Sequence, residues 1–179
     1  MFYAGCAGFI LFFLNDLNDL SLHKKWLAAC FPLGAALLLA SLALQLGAVT
    51  PPGGRWLRAA AWCLLAVFTL LEGYTLFFAI PVKASYGQPG QKRRVYTGGV
   101  YALCRHPGVL WFAGAMLSLW AAAGLPLWAA AAYTLLDILL VLFEDRVAFP
   151  RLLSGYGAYR RGTPFLIPNA TGIHRVFGK

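Results

Sequence analysis

Two short segments in the second half of the chain hold most of the residues whose types suit polar chemistry. The first, residues 96–108, contains Tyr101 and ends in Arg105-His106-Pro107-Gly just before an apolar stretch. An arginine and a histidine at a helix N-terminus can hold an anion, and Pro107 suits the first helical turn. The same residues also fit an interfacial loop in which Arg105 contacts lipid phosphate, so both interpretations stay open.

The second polar segment, residues 144–164, begins with the adjacent acids Glu144 and Asp145. Acids among so many basic residues predict contacts to a cationic ligand group as well as salt bridges. Tyr156 and Tyr159 are three residues apart, which predicts that they share one face of a short amphipathic helix lying on the membrane surface. A surface-anchored tail whose acids only neutralise nearby arginines is an equally good interpretation of this segment taken alone.

The composition indicates what kind of fold positions these segments. The chain has 179 residues, of which 60% are hydrophobic and 12% charged, whereas ordinary globular domains have about 45–50% and about 25%. The apolar residues occur in long runs and the 4 cysteines are scattered, which argues against a soluble globular domain, disorder, a disulfide scaffold or a nucleic-acid-binding domain. We predict an all-α, polytopic membrane protein that forms a single domain over residues 1–179.

Five apolar stretches predict the membrane helices of this domain. The two longest run to about 24 residues, enough to cross a ~30 Å hydrocarbon layer at about 1.5 Å per residue. The first stretch lacks the basic leading residues and cleavage site of a secretory signal, so we expect a retained helix. Gly124 and Pro126 predict a tight helical hairpin, because Gly suits a helix end and Pro a helix start. The predicted helices are about 2–14, 26–49, 56–80, 109–123 and 127–143.

The basic residues predict the orientation of the helices. With the N-terminus outside, 13 of the 15 Lys and Arg residues fall on the inner side, and only Arg55 and Arg58 fall outside. The positive-inside rule therefore places the loop 82–107 and the tail 144–179 in the cytosol. We expect the functional site there, at the inner ends of the third, fourth and fifth helices. Clustered basic residues also predict contacts with anionic lipid headgroups.

Taken together, the two polar segments resemble the isoprenylcysteine carboxyl methyltransferase and phospholipid methyltransferase superfamily of integral membrane enzymes. That family shows RHPxYxG, then a Glu-Glu pair, then FGxxYxxYxxxxP, and the resemblance covers about residues 95–168. The matching positions here are Arg105-His106-Pro107, Glu144-Asp145, Tyr156, Tyr159 and Pro164. The departures are Val109 for Tyr, Trp111 for Gly, Leu152-Leu153 for Phe-Gly, and Asp145 for the second Glu.

The resemblance implies methyl transfer from S-adenosylmethionine, bound from the cytosol, to a lipophilic acceptor that enters from the bilayer. It implies that Arg105 and His106 contact polar parts of the cofactor and that Glu144 faces its cationic amino group. The other cofactor-binding residues it implies are Tyr101, Pro107, Asp145, Tyr156, Tyr159 and Arg160. A prenylcysteine carboxylate, a lipid amine and a small hydrophobic thiol or amine all remain open as acceptors, and the reaction needs no metal. The oligomeric state is left open.

Two further acids, Glu72 and Asp137, lie inside predicted membrane helices. An ionisable group in hydrocarbon costs about 2.5–3.5 kcal/mol on insertion scales, so we expect both to face the bundle interior. Asp137 and Glu144 are two helical turns apart on one face, about 10 Å along the axis. Our hypothesis is that Asp137 or Glu72 borders the acceptor pocket, with Glu144, Asp137 and Glu72 as candidate catalytic acids. Simple hydrogen bonding to Thr134 or Tyr74 is the alternative.

Two other functions compete with methyl transfer. Sterol-reductase-type enzymes that use NADPH resemble this chain in the Arg-His-Pro segment and the basic, proline-terminated tail. The phosphates of NADPH call for several arginines, whereas a sulfonium cofactor calls for an acid such as Glu144. Glu144 favours methyl transfer. The third possibility is a catalytically degenerate homologue that binds lipid or assists assembly, which the bulky residues Val109, Trp111 and Leu153 would suit.

Overall fold

The chain folds mainly into helices, as the computed structural model of residues 1–81 and 92–177 shows. The five long helices are α1 (Phe2–Leu17), α2 (Cys30–Ala43), α3 (Arg55–Phe77), α4 (Pro107–Ala123) and α5 (Leu127–Phe143). A π-helical turn (Asn18–Leu22) and a 3₁₀ helix (Lys25–Ala29) connect α1 to α2, and a second 3₁₀ helix (Gly99–Ala102) precedes α4. Part of the predicted cytosolic loop 82–107 and the last two residues of the tail lie outside the described residues.

After α5 the helical path continues instead of breaking at residue 144. A π-helical turn (Glu144–Ala148) leads into α6 (Phe149–Leu152), followed by α7 (Tyr156–Gly162) and α8 (Ala170–Phe177). Between α6 and α7, strand β2 (Leu153–Ser154) pairs in parallel with β1 (Arg93–Arg94). The tail predicted to begin at residue 144 is therefore joined to the fifth helix without a break and returns to the loop before α4.

The helix positions agree with the coarse prediction and differ in their ends. α1 extends three residues beyond the predicted 2–14, because the polar residues Asn15 and Asp16 continue the helix. The predicted second helix, 26–49, is too long: its first turn is 3₁₀ and regular helix stops at Ala43, shortly before Gly47 adopts a φ of 74°. The third helix likewise ends at Phe77 and not at residue 80.

Three helical segments are long and apolar enough to cross a membrane, as judged by length and composition. They are Lys25–Ala43, Arg55–Phe77 and Leu127–Leu152, and α4 is a shorter apolar helix. Many large apolar side chains, such as Leu70 and Phe77, are exposed. Such extensive apolar exposure is unusual for a soluble monomer and fits contact with lipid. The five-span arrangement and its orientation stay predictions.

The core forms where α1 packs against α2 and α5, and where α4 packs against α3 and α5. Phe9, Leu38, Met116, Leu125 and Tyr133 are among its buried residues. α1 and α2 approach closely at Gly8 and Gly34, where a Cβ on either residue would lie 2.7 Å from the carbonyl oxygen of the other. Small residues at this crossing allow backbone contact, as is common between membrane helices.

The end of the bundle that holds the N-terminus of α1 is closed by polar contacts. Tyr133, which is 0% exposed, shares hydrogen bonds with Ser41 (2.8 Å) and Gln45 (2.9 Å). The loop after α2 also bonds to the α4–α5 turn, since Gly47 N–H donates to Ala123 O (2.8 Å) and Val49 N–H to Gly124 O (3.1 Å). We call these two backbone hydrogen bonds the loop clasp.

The predicted hairpin between α4 and α5 is confirmed. Gly124 ends α4 with a φ of 70°, in the left-handed region that favours glycine, and Pro126 stands immediately before α5. Pro107 is the first residue of α4, as predicted. Because of this tight turn, α4 and α5 lie side by side, with the start of α4 next to the end of α5. Both predicted polar segments therefore meet at the end of the bundle opposite the loop clasp.

Candidate functional site

Arg105 and Asp145 form the central ion pair of this polar end. Arg105 Nε donates to Asp145 Oδ1 (2.6 Å) and Nη2 donates to Oδ2 (3.2 Å), and the two side chains are 8% and 3% exposed. Arg105 Nη1 also donates to the carbonyl oxygens of Arg160 (3.0 Å) and Thr163. The planar guanidinium uses its fork of donors on several acceptors at once. Arg105 thereby joins the residues before α4, the end of α5 and α7.

Backbone hydrogen bonds reinforce the same junction. The N–H of Arg105 donates to Pro164 O (2.9 Å) and that of His106 to Phe165 O (3.2 Å). These two donors immediately precede α4, so the segment after α7 lies alongside the start of that helix. The parallel pairing of β1 with β2 adds a second connection between the two polar segments. The predicted association of these segments is therefore made largely by backbone groups and Arg105.

The two tyrosines of α7 point into the protein. Tyr156 donates a 2.6 Å hydrogen bond to Asp145 Oδ1, and Tyr159 donates a 2.7 Å bond to Tyr101 O. Burial and the Asp145 carboxylate raise the pKa of Tyr156 above its usual range, and burial raises that of Tyr159. The prediction of a short helix with both tyrosines on one face is confirmed, but the rings are buried instead of lying on a membrane surface.

His106 lies between the ion pair and Glu144. Its ring is stacked on Phe149 (centroids 5.7 Å apart) and meets the edge of Phe165 (5.3 Å). Nε2 is 3.5 Å from Asp145 Oδ1 without a hydrogen bond, and Nδ1 is 3.7 Å from Glu144 Oε2. Burial lowers the pKa of His106 to about 4, although the carboxylate of Asp145 opposes the change. The imidazole is therefore neutral at pH 7.

Glu144 belongs to a second group, which we call the acid group: Asp16, Glu72, Asp137 and Glu144. The carboxyls of Glu144 and Asp16 are within hydrogen-bonding reach, and Asp137 interacts electrostatically with Glu144 and Glu72. Tyr101 interacts with Glu144 and Glu72 in the same way. Asp16 Oδ2 and Glu72 Oε2 are buried, and neither atom has a hydrogen-bond partner among the described residues. The acid group brings together α1, α3, α5 and the π-helical turn.

Glu72 also borders the start of α4. A Cβ placed on Gly108 would lie 3.4 Å from Glu72 Oε1, so the first turn of α4 runs close beside this carboxyl. Within residues 1–81 and 92–177, no three His, Cys, Asp or Glu side chains have an arrangement that could hold a metal ion. Among the described residues, the one basic side chain within ion-pair distance of these acids is His106, whose Nδ1 lies 3.7 Å from Glu144 Oε2 and whose ring is neutral.

Tyr101 connects the acid group to α3. Its hydroxyl donates to Thr75 O (3.3 Å), and burial, reinforced by the nearby carboxylates of Glu144 and Glu72, raises its pKa to about 12. Trp111 donates from Nε1 to the hydroxyl of Thr75 (3.1 Å). The bulky residue that departs from the family pattern is thus held between α3 and α4.

The structure brings all the predicted site residues to one end of the bundle, but in two sets with His106 between them. Arg105, Tyr156 and Arg160 each contact Asp145, with Arg160 Nε 3.5 Å from Asp145 Oδ2. Tyr101 and Asp137 each interact electrostatically with both Glu144 and Glu72. The sequence interpretation missed Asp16, whose signal was the acid at the end of the first apolar stretch. No protein-family model, curated protein or solved structure matches the chain.

Proposed function

We propose that the protein is an integral membrane methyltransferase that uses S-adenosylmethionine and acts on a lipophilic acceptor reached from the bilayer. The observation that supports this best is the acid group. Buried carboxyls without a basic partner are costly unless a cation joins them. S-adenosylmethionine carries a sulfonium and an ammonium group, so its positive charges suit such a site. The sequence already indicated a cationic cofactor through Glu144.

The described residues fit this cofactor in three respects. Glu144 lies next to His106 and next to the other acids of the acid group. Its carboxyl can therefore contact a cationic group that is bound beside either of them. His106 is neutral and Tyr101 keeps its phenolic proton, so neither repels a cation. Glu72 keeps one buried oxygen without a partner in the described residues. When bound, the cofactor supplies an electrophilic methyl group, and the protein aligns the reactants and excludes water.

Arg105, Asp145 and Tyr156 have a different role in this proposal. Because the ion pair and the tyrosine satisfy one another, these residues hold α5, α7 and the start of α4 in place. They position the side chains that meet the ligand, namely His106 and Glu144. Asp145 therefore acts on cofactor binding through geometry, whereas Glu144 acts by direct charge.

NADPH reduction is supported by one observation, the exposed arginines Arg93, Arg94 and Arg161 near the same end of the bundle. The acid group weighs against it, because buried carboxyls offer no positive charge to the phosphate groups of NADPH. A lipid-binding or assembly protein without catalysis is supported by Trp111, which packs between α3 and α4. Both alternatives give distinct results in one experiment.

Thermal unfolding of the detergent-purified protein separates these functions. We expect stabilisation by S-adenosylhomocysteine and none by NADPH, since a ligand at 100 times its dissociation constant adds about 2.7 kcal/mol. Stabilisation by NADPH alone would overturn the proposal, and stabilisation by neither would support the non-catalytic alternative. Glu144→Gln should remove the effect of S-adenosylhomocysteine. Asp19→Asn, which changes an exposed acid, should retain it.

A further inference from the structure

Four exposed arginines lie on the short elements that connect the two polar segments. We call them the arginine surface; they are Arg93 and Arg94 of β1, Arg151 of α6 and Arg161 of α7. The register of the parallel pair sets Arg93 opposite Leu153, two residues after Arg151, and α6 contacts both β2 and α7. Arg161 Nη1 lies 3.9 Å from the position of a Cβ on Gly157, so this side chain points back toward the start of α7, next to β2. This small unit therefore combines positive charges from two distant parts of the chain.

The arginine surface has no acidic partner within the described residues. The arginines that form ion pairs in this part of the chain are Arg105 and Arg160, and both contact Asp145. The sequence contains no Asp or Glu in residues 82–107 or 146–179. β1 and β2 have only two residues each, so a very short pairing must hold like charges together against their repulsion. An anion that joins the two sides would remove this cost.

The arginine surface begins where a candidate membrane span ends. The helical segment Leu127–Leu152 has 26 residues and is about 39 Å long at about 1.5 Å per residue, whereas a hydrocarbon layer is ~30 Å thick. Arg151 is in the last turn of this segment and β2 follows it directly, so we expect both at the level of the lipid headgroups. Ile167, in the segment after α7, is 80% exposed, which suits contact with lipid better than with water. These positions favour a lipid headgroup over a soluble anion.

We propose that the arginine surface binds the phosphate group of an anionic phospholipid, and that this headgroup holds β1 against β2 and α6. A guanidinium can donate two parallel hydrogen bonds to phosphate oxygens, so one headgroup can join arginines of both polar segments. A zwitterionic headgroup suits this place less, because its ammonium group adds a further positive charge. The basic residues of the sequence predicted contact with anionic headgroups in general, whereas the fold assigns this contact to four residues and gives it a structural role. The proposal is independent of methyl transfer.

A bound headgroup would support the candidate site through the two strands. β2 follows the helical turn that carries Asp145, and β1 leads into the segment that carries Tyr101. Val95 N–H donates to Ser154 O (3.0 Å), directly beside the arginines of β1. Exchange of the Val95 amide hydrogen therefore reports whether β1 is held on β2.

The binding is tested by native mass spectrometry of the detergent-purified protein. The probes are phosphatidylglycerol, phosphatidylcholine with the same acyl chains, and glycerol phosphate as the soluble anion. We expect phosphatidylglycerol to bind most tightly. The double variant Arg93→Gln/Arg94→Gln should weaken this binding about thirtyfold, as expected for two basic residues near an anionic lipid surface. The pair Arg93→Lys/Arg94→Lys should lose less, because it keeps the charge.

The matched control is Arg55→Gln/Arg58→Gln, which removes the same charge from exposed positions at the other end of the bundle and should leave the binding unchanged. Circular dichroism checks that each variant is folded, and the lysine pair keeps the test valid if the glutamine pair does not fold. Equal binding of the two lipids, equal binding of glycerol phosphate and phosphatidylglycerol, or equal losses in the two glutamine pairs would overturn the lipid site.

Hydrogen exchange in lipid nanodiscs tests the structural role. Phosphatidylglycerol should slow exchange of the Val95 amide relative to phosphatidylcholine in the unchanged protein, and it should have no such effect in Arg93→Gln/Arg94→Gln. Specific lipid binding with the same Val95 exchange in both lipids would refute the claim that the headgroup holds β1 on β2.

Discussion

Glu144 and Asp145 are neighbours in sequence but serve different parts of the molecule. Asp145 faces Arg105 and Tyr156, which neutralise it and satisfy its oxygens. Glu144 faces Asp16 and the rest of the acid group, which offers no positive charge. The two residues are adjacent in the helical turn that begins at Glu144, and adjacent helical residues point in different directions. Their amide variants should therefore behave in opposite ways.

We expect Asp145→Asn to destabilise the fold by about 3–5 kcal/mol, because it leaves the buried Arg105 guanidinium without its counter-charge. Glu144→Gln should cost much less, because Glu144 has no arginine or lysine partner that the change would leave buried and unpaired. Denaturant unfolding in detergent, followed by tryptophan fluorescence, measures both. Similar losses in the two variants would contradict the separate roles of the acids.

His106 should make stability depend on pH. Its folded pKa of about 4 lies below the ordinary value of 6.5, so the unfolded chain binds a proton that the folded chain does not. The stability that the neutral ring contributes is present above pH 6.5 and is lost as pH falls toward 4, by up to about 1.4 kcal/mol per unit. Thermal unfolding from pH 7 to pH 4 should show a shallower fall for His106→Gln than for the unchanged protein. The exposed control His174→Gln should retain the full slope.

The crossing of α1 and α2 leaves no space for a side chain at Gly8 or Gly34. The Cβ that alanine would add at Gly8 or Gly34 meets a backbone oxygen, which cannot move aside as a flexible side chain can. The first half of α1 is therefore held at a fixed distance from α2. This matters for the site, because the second half of the same helix carries Asp16.

Gly8→Ala and Gly34→Ala should each destabilise the protein by about 1–3 kcal/mol, the usual cost of overpacking. Gly73 in α3 is the matched control, since nothing lies within 4 Å of the Cβ that alanine would add there. Gly73→Ala should stabilise the helix by about 0.5–1 kcal/mol. Thermal unfolding of the three variants checks this, and a loss in Gly73→Ala equal to the others would refute the steric explanation.

Local sequence signals predicted the elements better than the pairings between them. Gly124, Pro126 and Pro107 act on their own backbone, so the hairpin and the start of α4 could be derived from sequence. The ion pair of Arg105 with Asp145 joins residues forty positions apart and depends on how α4 and α5 meet. Thr134 illustrates the same limit: its hydroxyl donates to Ala130 O on its own helix and not to Asp137, the partner that spacing suggested.

Asp16 shows why the site was only partly predictable. It lies outside residues 95–168, the stretch that resembles a known family, and its role depends on α1 packing beside α5. The sequence placed an acid near the end of an apolar stretch but contained no periodicity that would pair it with Glu144. Glu72 and Asp137, by contrast, were identifiable because each interrupts an apolar run.

The described part of the chain has most of its charged side chains at one end of an apolar bundle, whereas Arg55 and Arg58 lie at the start of α3, near the loop clasp. The positive-inside rule predicts an orientation with the acid group toward the cytosol, and this orientation can be tested directly. Single cysteines at Thr50 and Asn169, in a background without Cys6, Cys30, Cys63 and Cys104, test it in intact cells with a membrane-impermeant maleimide. We expect Thr50→Cys to react from outside and Asn169→Cys only after the cells are opened; the reverse pattern would show the opposite orientation.

The loop clasp differs in kind from the contacts at the charged end. Its two hydrogen bonds use only backbone groups of Gly47, Val49, Ala123 and Gly124, so most side-chain replacements in the loop leave them intact. At the opposite end, one lost side chain leaves a buried charge without its partner. Most loop residues can therefore vary while the bundle keeps its shape; the exceptions are Gln45, which bonds to Tyr133, and Gly47 and Gly53, whose φ of 74° favours glycine. Related chains should diverge quickly at residues 48–52 and slowly around Arg105 and Asp145, and a comparison of homologous sequences would measure this difference.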